Sequence, residues 1–380
     1  MSDEGETPAE EPAARKSSGG TRFLRVLLFL LVALPGLLGL AAGGAYLYGK
    51  WRFETPGPAD RPTVVWLAPG LGLSAIAARL EEARVLDEPA IFRIWVRLGR
   101  GAGALRAGEY EIPAHASMAD IVRILKEGKS VVHRITVPEG LTSAQAMEIV
   151  KADPVLTGEM PLVPQEGSLL PETYNFTKGT TRAQIVQRMQ KAASALMTEL
   201  WPRRAQDLPY KTPEEAVILA SIVEKETGLA SERPRVAAVF VNRLRKSMRL
   251  QSDPTIIYGI TGGKGPLGRP IRQSELARVT PYNTYQVDGL PPTPICNPGR
   301  ASLEAVLNPP STGDLYFVAD GTGGHAFSAS LAEHLRNVAR WRKVERGASS
   351  PAIAAPAPAT PQAPAAGTLP LAAPARHTSR

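Results

Sequence analysis

The chain has 380 residues, a formal charge of +8, 43% hydrophobic and 21% charged residues, a composition that excludes a wholly disordered polymer and suffices for two or three cores. Its one cysteine, Cys296, excludes an intrachain disulfide and any cysteine-based zinc site. None of the five histidines (His115, His133, His325, His334, His377) has ligand spacing, so the expectation is no metal and no cofactor.

Residues 1–22 read as a disordered cytoplasmic tail, acidic then basic and rich in Ala, Pro, Gly and Ser. No charge occurs from Val26 to Tyr48, a run of roughly 35 Å as a helix. Residues 23–49 therefore read as one transmembrane helix. Arg15, Lys16, Arg22 and Arg25 precede it, and Lys50 and Arg52 follow. The positive-inside rule then predicts a single-pass protein with a cytoplasmic N-terminus and an exported C-terminal bulk. A cleaved signal peptide ending at Ala41-x-Gly43 is the rival, against which the long apolar run argues.

A proline-bearing linker at 50–62 leads to a predicted strand at 63–67, helices at 73–86 and 88–98, and a strand at 105–112. This strand–helix–helix–strand order resembles a LysM-type glycan-binding unit, taken as residues 63–131. Ser117 caps a helix predicted over 118–127. A strand at 131–137, a helix at 142–151 and a long amphipathic helix at 182–200 follow. Two helices broken near Gly228 span Pro213 to about Lys246. A strand at 315–319 and a last helix from about Ser330 end the folded part, with the main domain taken as 132–346. Residues 347–380, nearly all Ala, Pro, Ser, Thr and Gly, read as a disordered tail. The predicted class is α+β: a transmembrane helix, a LysM-like βααβ subdomain and a mixed α+β catalytic domain.

The segment Thr212–Gly228, TPEEAVILASIVEKETG, carries the chemistry. Thr212, Pro213 and Glu215 form a capping-box start, and Gly228 marks a stop. Leu219, Ile222 and Val223 share a face, and Glu226 is the i+7 member of it. Glu224 points toward Val217 and Ala220, at the side of that stripe. A carboxyl on an apolar face stays protonated to higher pH and can serve as a general acid. Periodicity leaves open the alternative of a frayed last turn with Glu226 exposed or paired to Arg233 or Arg235.

Longer motifs narrow the choice. ILASIVEKETG, then SERPRVAAVFVNRLRKSMRLQSDPTIIYGI, resembles the endolytic murein transglycosylases, the MltG or YceG-like family. So do EGSLLPETY at 166–174, PYNTYQVDGLPPTPICNPG at 281–299 and LYFVADGTGGHAFS at 315–328. The resemblance runs in order over about residues 63–344. The family's catalytic glutamate falls on the second Glu of the Glu-Lys-Glu-Thr run, Glu226.

The resemblance implies a peptidoglycan lyase that cuts the β-1,4 bond between N-acetylmuramic acid and N-acetylglucosamine, leaving a 1,6-anhydro end and limiting strand length. Its partners would be glycan strands, the membrane and peptidoglycan synthases; an exported domain argues against nucleic acid. Candidate groove residues are Gln251, Asp253, Tyr258, Tyr282, Asn283 and Tyr285, as polar contacts and aromatic platforms. Each has a structural alternative, Asp253 as a helix cap among them. Asp253, Glu172 and Glu232 are possible second carboxylates for a muramidase-type hydrolase, the first alternative. A non-catalytic, membrane-tethered scaffold is the second. His325 near Ser328 lacks a third partner for a serine hydrolase.

Overall fold

The computed structural model describes residues 19–99 and 101–348. Of the two expected tails, residues 1–18 and 349–380 lie outside the described residues. The chain divides into two compact units, residues 1–310 and residues 311 onward.

The first unit begins with α1 (Gly19–Glu54), a helix long and apolar enough to cross a membrane. The helix runs past Gly49 through the first residues of the expected linker, then stops before Pro56 and Pro58. The order β1 (Thr63–Leu67), α2 (Leu73–Glu82), α3 (Pro89–Leu98), β2 (Gly108–Ile112) follows, matching the predicted βααβ unit. β1 and β2 pair antiparallel, with Thr63 opposite Ile112 and Leu67 opposite Gly108. The second strand starts at Gly108, later than expected, after a short turn at Ala102–Ala104. Gly108 has φ +154°, and a Cβ there would stand 3.0 Å from Ser130 Oγ. Val65 and Leu67 face inward with Leu80, Phe92, Val96 and Tyr110, and α4 (Met118–Glu127) closes this core with Ile121 and Leu125.

A second core lies between the pair β3 (His133–Thr136) and β4 (Thr173–Phe176) and helices α5 (Ser143–Ala152) and α6 (Arg182–Leu200). Ile135, Met147, Val150, Phe176, Ile185 and Met189 fill it. β4 was not expected from the sequence: four residues of half-buried TYNF are too short for a period to register. Glu109 of β2 joins the two cores, 2.5 Å from His133 and 2.9 Å from Lys178.

The third assembly is helical. α7 (Pro213–Glu226) packs against α8 (Arg233–Arg245) and α11 (Arg300–Leu307), with α9 (Asp253–Thr261) and the short α10 (Gln273–Ala277) beside them. Leu219, Ile222, Val223, Val239, Phe240, Val306 and Leu307 are buried there. Cys296 is also buried, and its thiol donates to the Ser221 carbonyl, in keeping with the structural role its type suggests.

The second unit is a hairpin, β5 (Tyr316–Ala319) with β6 (His325–Ser328), packed on α12 (Leu331–Ala348). Tyr316 stacks on His334 at 5.1 Å. His325 and Ser328 are three apart on one strand and so face opposite sides, which removes the nucleophile-pair reading.

Candidate active site

α7 starts as expected. Thr212 Oγ1 accepts from the Glu215 amide at 3.3 Å, and Glu215 Oε2 accepts from the Thr212 amide at 3.1 Å. The interior differs from a one-sided amphipathic helix. Ala216, Ile218, Leu219, Ala220, Ser221, Ile222 and Val223 are all buried, so neighbours wrap the helix on every face. The loop at 291–298 covers one of them, with the Ile295 amide donating to Ser221 Oγ at 3.0 Å.

Helical phase therefore does not separate Glu224 from Glu226; their partners do. The Glu224 side chain is 6% exposed and lies 3.4 Å from Arg233. It also accepts from Ser302 Oγ at 2.7 Å and from the Gly299 amide at 3.0 Å. Gly299 caps α11, so this carboxylate sits at a helix N-terminus, where negative charge is favoured. Arg233 further reaches Glu139 at 3.8 Å. Burial raises the Glu139 pKa, and the neighbouring Glu224 charge raises it further. Glu224 thus fastens α7 to α8 and α11.

Glu226 is the last helical residue and is half-buried. Thr227 turns the chain extended, one residue before the expected stop at Gly228. Ser252 Oγ donates to Glu226 Oε1 at 2.5 Å. Ser252 is itself buried and held: its amide donates to Thr284 Oγ1 at 2.9 Å and its carbonyl accepts from Thr255 Oγ1 at 2.7 Å. Sequence reading missed Ser252, although it immediately precedes the Asp253-Pro254 start of α9 and lies between two residues that were singled out.

Gln251, Asp253 and Tyr285 gather around this pair. Gln251 has φ +52°; its amide donates to the Thr284 carbonyl and its Oε1 accepts from Arg243 at 3.3 Å. Arg243 also donates to the Leu250 carbonyl at 2.8 Å, bolting the bend at 247–251 to α8. Asp253 accepts from Tyr285 Oη at 2.7 Å and is the first residue of α9, so it is not the cap; Ser252 holds the N-cap position without a side-chain cap bond. Burial raises the Tyr285 phenol, as do its hydrogen bond to Asp253 and the charges of Asp253 and Glu226. Glu226 and Asp253 therefore act on one tyrosine. Glu172 is exposed and outside this group, and Glu232 stands at the N-cap position of α8 without a side-chain cap bond.

Tyr258 and Tyr282 form a separate aromatic pair, 5.1 Å between centroids. Tyr258 Oη donates to Glu166 at 3.3 Å, and Tyr282 bonds Thr293 at 2.7 Å. Burial, with the Glu166 charge, pushes the Tyr258 phenol up to about 12. Burial also raises Glu166, against the Ser143 amide that donates to it at 2.7 Å. Tyr258 lines a cavity of about 370 Å³ with Thr142, Gln145, Lys225, Ile257 and Leu267. A larger cavity, about 590 Å³, lies between α6 and the start of α7 and holds none of the candidate residues. Asn283 stands apart from the groove role expected of it. It is buried, its Nδ2 donates to the carbonyls of Glu275, Leu276 and Arg278, and its Oδ1 accepts from the Tyr285 amide.

The chain thus combines an apolar N-terminal helix, a mixed α+β body and a carboxylate at the last residue of a wrapped helix. The chain belongs to the YceG-like family, whose model matches residues 65–340. It is 31% identical over 328 residues to an endolytic murein transglycosylase of Bacillus subtilis (strain 168), covering 78% of this chain and 89% of the relative. An endolytic murein transglycosylase of Streptococcus pneumoniae serotype 2 (strain D39 / NCTC 7466) is 28% identical over 367 residues, covering 83% of this chain and 65% of the relative. A crystal structure of a yceG-like protein of Listeria monocytogenes has 31% identity, covers 73% of this chain and 98% of that chain, and gives a TM-score of 0.45.

Proposed function

We propose that this protein is an endolytic murein transglycosylase, anchored in the membrane by α1, with Glu226 as its proton-transfer residue. The observation that carries the assignment to Glu226 is the contrast with Glu224. Glu224 pairs with Arg233 and accepts from Gly299 and Ser302; Glu226, at the end of the same helix, is held by a buried serine next to Asp253 and Tyr285. The relatives' names support the reaction class.

The chemistry follows from one carboxyl. Protonated Glu226 gives its proton to the glycosidic oxygen as the bond from C1 of N-acetylmuramic acid to that oxygen breaks, and the N-acetylglucosamine end leaves as an alcohol. Ser252 donates to Oε1 and so fixes the orientation of the carboxyl plane during the transfer. The carboxylate left behind takes the proton of the muramic acid 6-hydroxyl while that oxygen bonds to C1 and closes the 1,6-anhydro ring. Glu226 ends protonated, as it began, and no water is consumed. An ordinary glycosidase needs a second carboxylate because its nucleophile is water or the enzyme itself. Gln251, Asp253 and Tyr285 are the groove residues nearest the reacting carboxyl in this reading, and Tyr258 and Tyr282 offer an aromatic platform further along.

Asp253 motivates the hydrolase alternative, since it shares Tyr285 with Glu226. Mass spectrometry of digested glycan strands separates the two: an anhydro end supports the lyase, and a reducing end heavier by one water refutes it. A βααβ unit that binds glycan in the manner of LysM, an N-terminus on the cytoplasmic side, periplasmic placement of the site, and association with strand-synthesising enzymes belong to the same proposal. Their support is the element order of residues 63–112 and the basic residues that precede the charge-free run of α1.

A further inference from the structure

α1 does not end where its apolar run ends. Arg25 and Lys50 bound a charge-free stretch of about 36 Å at 1.5 Å per residue, of which a hydrocarbon core takes about 30 Å. Ala45 to Gly49 therefore fall at the face of the bilayer from which the chain emerges. Tyr46, Tyr48 and Trp51 are exposed at this level, the residue types that settle at membrane interfaces.

At that level α3 lies against α1. The Trp95 ring is 5.1 Å from the Tyr46 ring and 5.7 Å from that of Phe53. A Cβ on Gly49 would come within 2.8 Å of Trp95 Nε1, so only glycine lets the two helices approach this closely. α3 turns Phe92 and Val96 into the core of the βααβ unit, yet leaves Ile94 55% and Leu98 63% exposed on its outer side. Between α1 and α3 is a notch of about 420 Å³ whose walls include Ala45, Tyr46, Ile91, Ile94, Trp95 and Leu98. No acidic residue occurs in α3. Arg97 is exposed beside Leu98, and neither Arg97 nor Lys50 has an ion-pair partner among the described residues.

We propose that α3 is a second membrane contact: the outward face of α3 and the α1–α3 notch seat phospholipid of the leaflet from which α1 emerges, with Arg97 and Lys50 at headgroup depth. The proposal rests on the reading of α1 as a membrane span. Two features select lipid as the occupant. The notch side chains are apolar or aromatic, leaving little to hydrogen-bond a sugar, and its α1 wall, Ala45, Tyr46 and Tyr48, belongs to the same charge-free run that itself requires acyl chains. Cationic residues flanking an apolar helix face match anionic headgroups. Such a contact would hold the βααβ unit flat against the bilayer, where a single helix would leave it free to tilt.

The test uses the full chain in phosphatidylethanolamine/phosphatidylglycerol vesicles. Cys296 is buried, so single cysteines introduced as Ile94→Cys and Leu98→Cys take a spin label selectively. Leu37→Cys, within the apolar run, and Val64→Cys, exposed on the face of β1 opposite its core side, are references. Collision with dissolved oxygen against a water-soluble nickel chelate measures depth. The expected result is that labels at 94 and 98 favour oxygen, as at 37, while the label at 64 favours nickel. If 94 and 98 behave like 64 while 37 stays in lipid, the α3 contact is refuted and the anchor stands. If 37 also favours nickel, the anchor itself is wrong and the α3 contact falls with it.

Discussion

Glu224 and Glu226 stand two residues apart in one helix, and replacing each by glutamine should produce opposite phenotypes. Glu224→Gln removes a charge from a pair whose side chains are 6% and 9% exposed. Breaking a buried pair by removing one partner costs about 3–5 kcal/mol. The amide retains an acceptor for Gly299 or Ser302, and Arg233 keeps Glu139 at 3.8 Å, which places the expected cost at the lower end, about 3 kcal/mol. At about 2–4 °C per kcal/mol, the melting temperature should fall by roughly 6–12 °C. Glu226→Gln changes a half-buried, near-isosteric group and should leave melting within about 1 kcal/mol of the parent. Its turnover should drop by about 10²–10⁴, the usual contribution of a positioned acid–base group. Thermal unfolding in detergent and mass-spectrometric turnover of purified glycan strands measure both quantities on the same samples. A Glu224→Gln protein that melts like the parent and makes no product, beside a Glu226→Gln protein that still releases anhydro ends, would reverse the two roles and refute the reasoning.

Other substitutions test the surrounding groups. Ser252→Ala deletes the donor to Glu226; a hydrogen bond to a charged group is worth about 1.5–3 kcal/mol, so kcat should fall about ten- to a hundredfold with KM little changed, and an unaltered kcat would remove Ser252 from the mechanism. Asn283→Ala leaves buried carbonyls and the Tyr285 amide without their partner, so about 2–3 kcal/mol of stability should be lost; weaker glycan binding at unchanged melting temperature would return Asn283 to the groove. Glu109 links the first two cores. Burial pushes its pKa up, but His133 and Lys178 outweigh this and hold it below the ordinary 4.5. A depressed carboxylate contributes stability that is present above its unfolded pKa and lost as pH falls through the folded one. Glu109→Gln should therefore lower the melting temperature at neutral pH, with the gap to the parent closing as pH drops below about 4.5. A gap that stays constant into strong acid would show that the ion cluster contributes nothing.

Much of this fold is legible from local pattern. The capping box at Thr212 and Glu215, the βααβ order of residues 63–112 and the caps at Ser117 and Thr142 depend on neighbours within four residues, or on periods that survive in a single chain. α11 was legible and missed: RASLEAVL follows a Pro-Gly start and buries Leu303, Val306 and Leu307 at helical spacing. The site was legible only in part. Phase analysis assumes one buried stripe, and α7 has none, because α8, α11 and the 291–298 loop enclose it. Its placing of Glu226 on the stripe and Glu224 at its side therefore does not tell the two apart, and both are partly buried. What distinguishes them is contributed by residues 26 to 78 positions away, Ser252 for one and Gly299 and Ser302 for the other, and no local period carries that information.

Ser252 shows how such a site departs from the rules that build the rest. It occupies the N-cap of α9, where a serine hydroxyl ordinarily accepts from the helix's own amides and contributes about 1 kcal/mol. Here the hydroxyl makes no cap bond and donates instead to Glu226. The backbone of Ser252 is meanwhile fixed by Thr284 and Thr255, so the hydroxyl is held in place without the cap. Four other helices of the first unit, α4, α5, α6 and α7, spend a Ser or Thr at the same position on a capping box. A hydroxyl withdrawn from that local use and turned on a half-buried carboxylate is a loss of helix stability that makes sense only if orienting Glu226 is worth more.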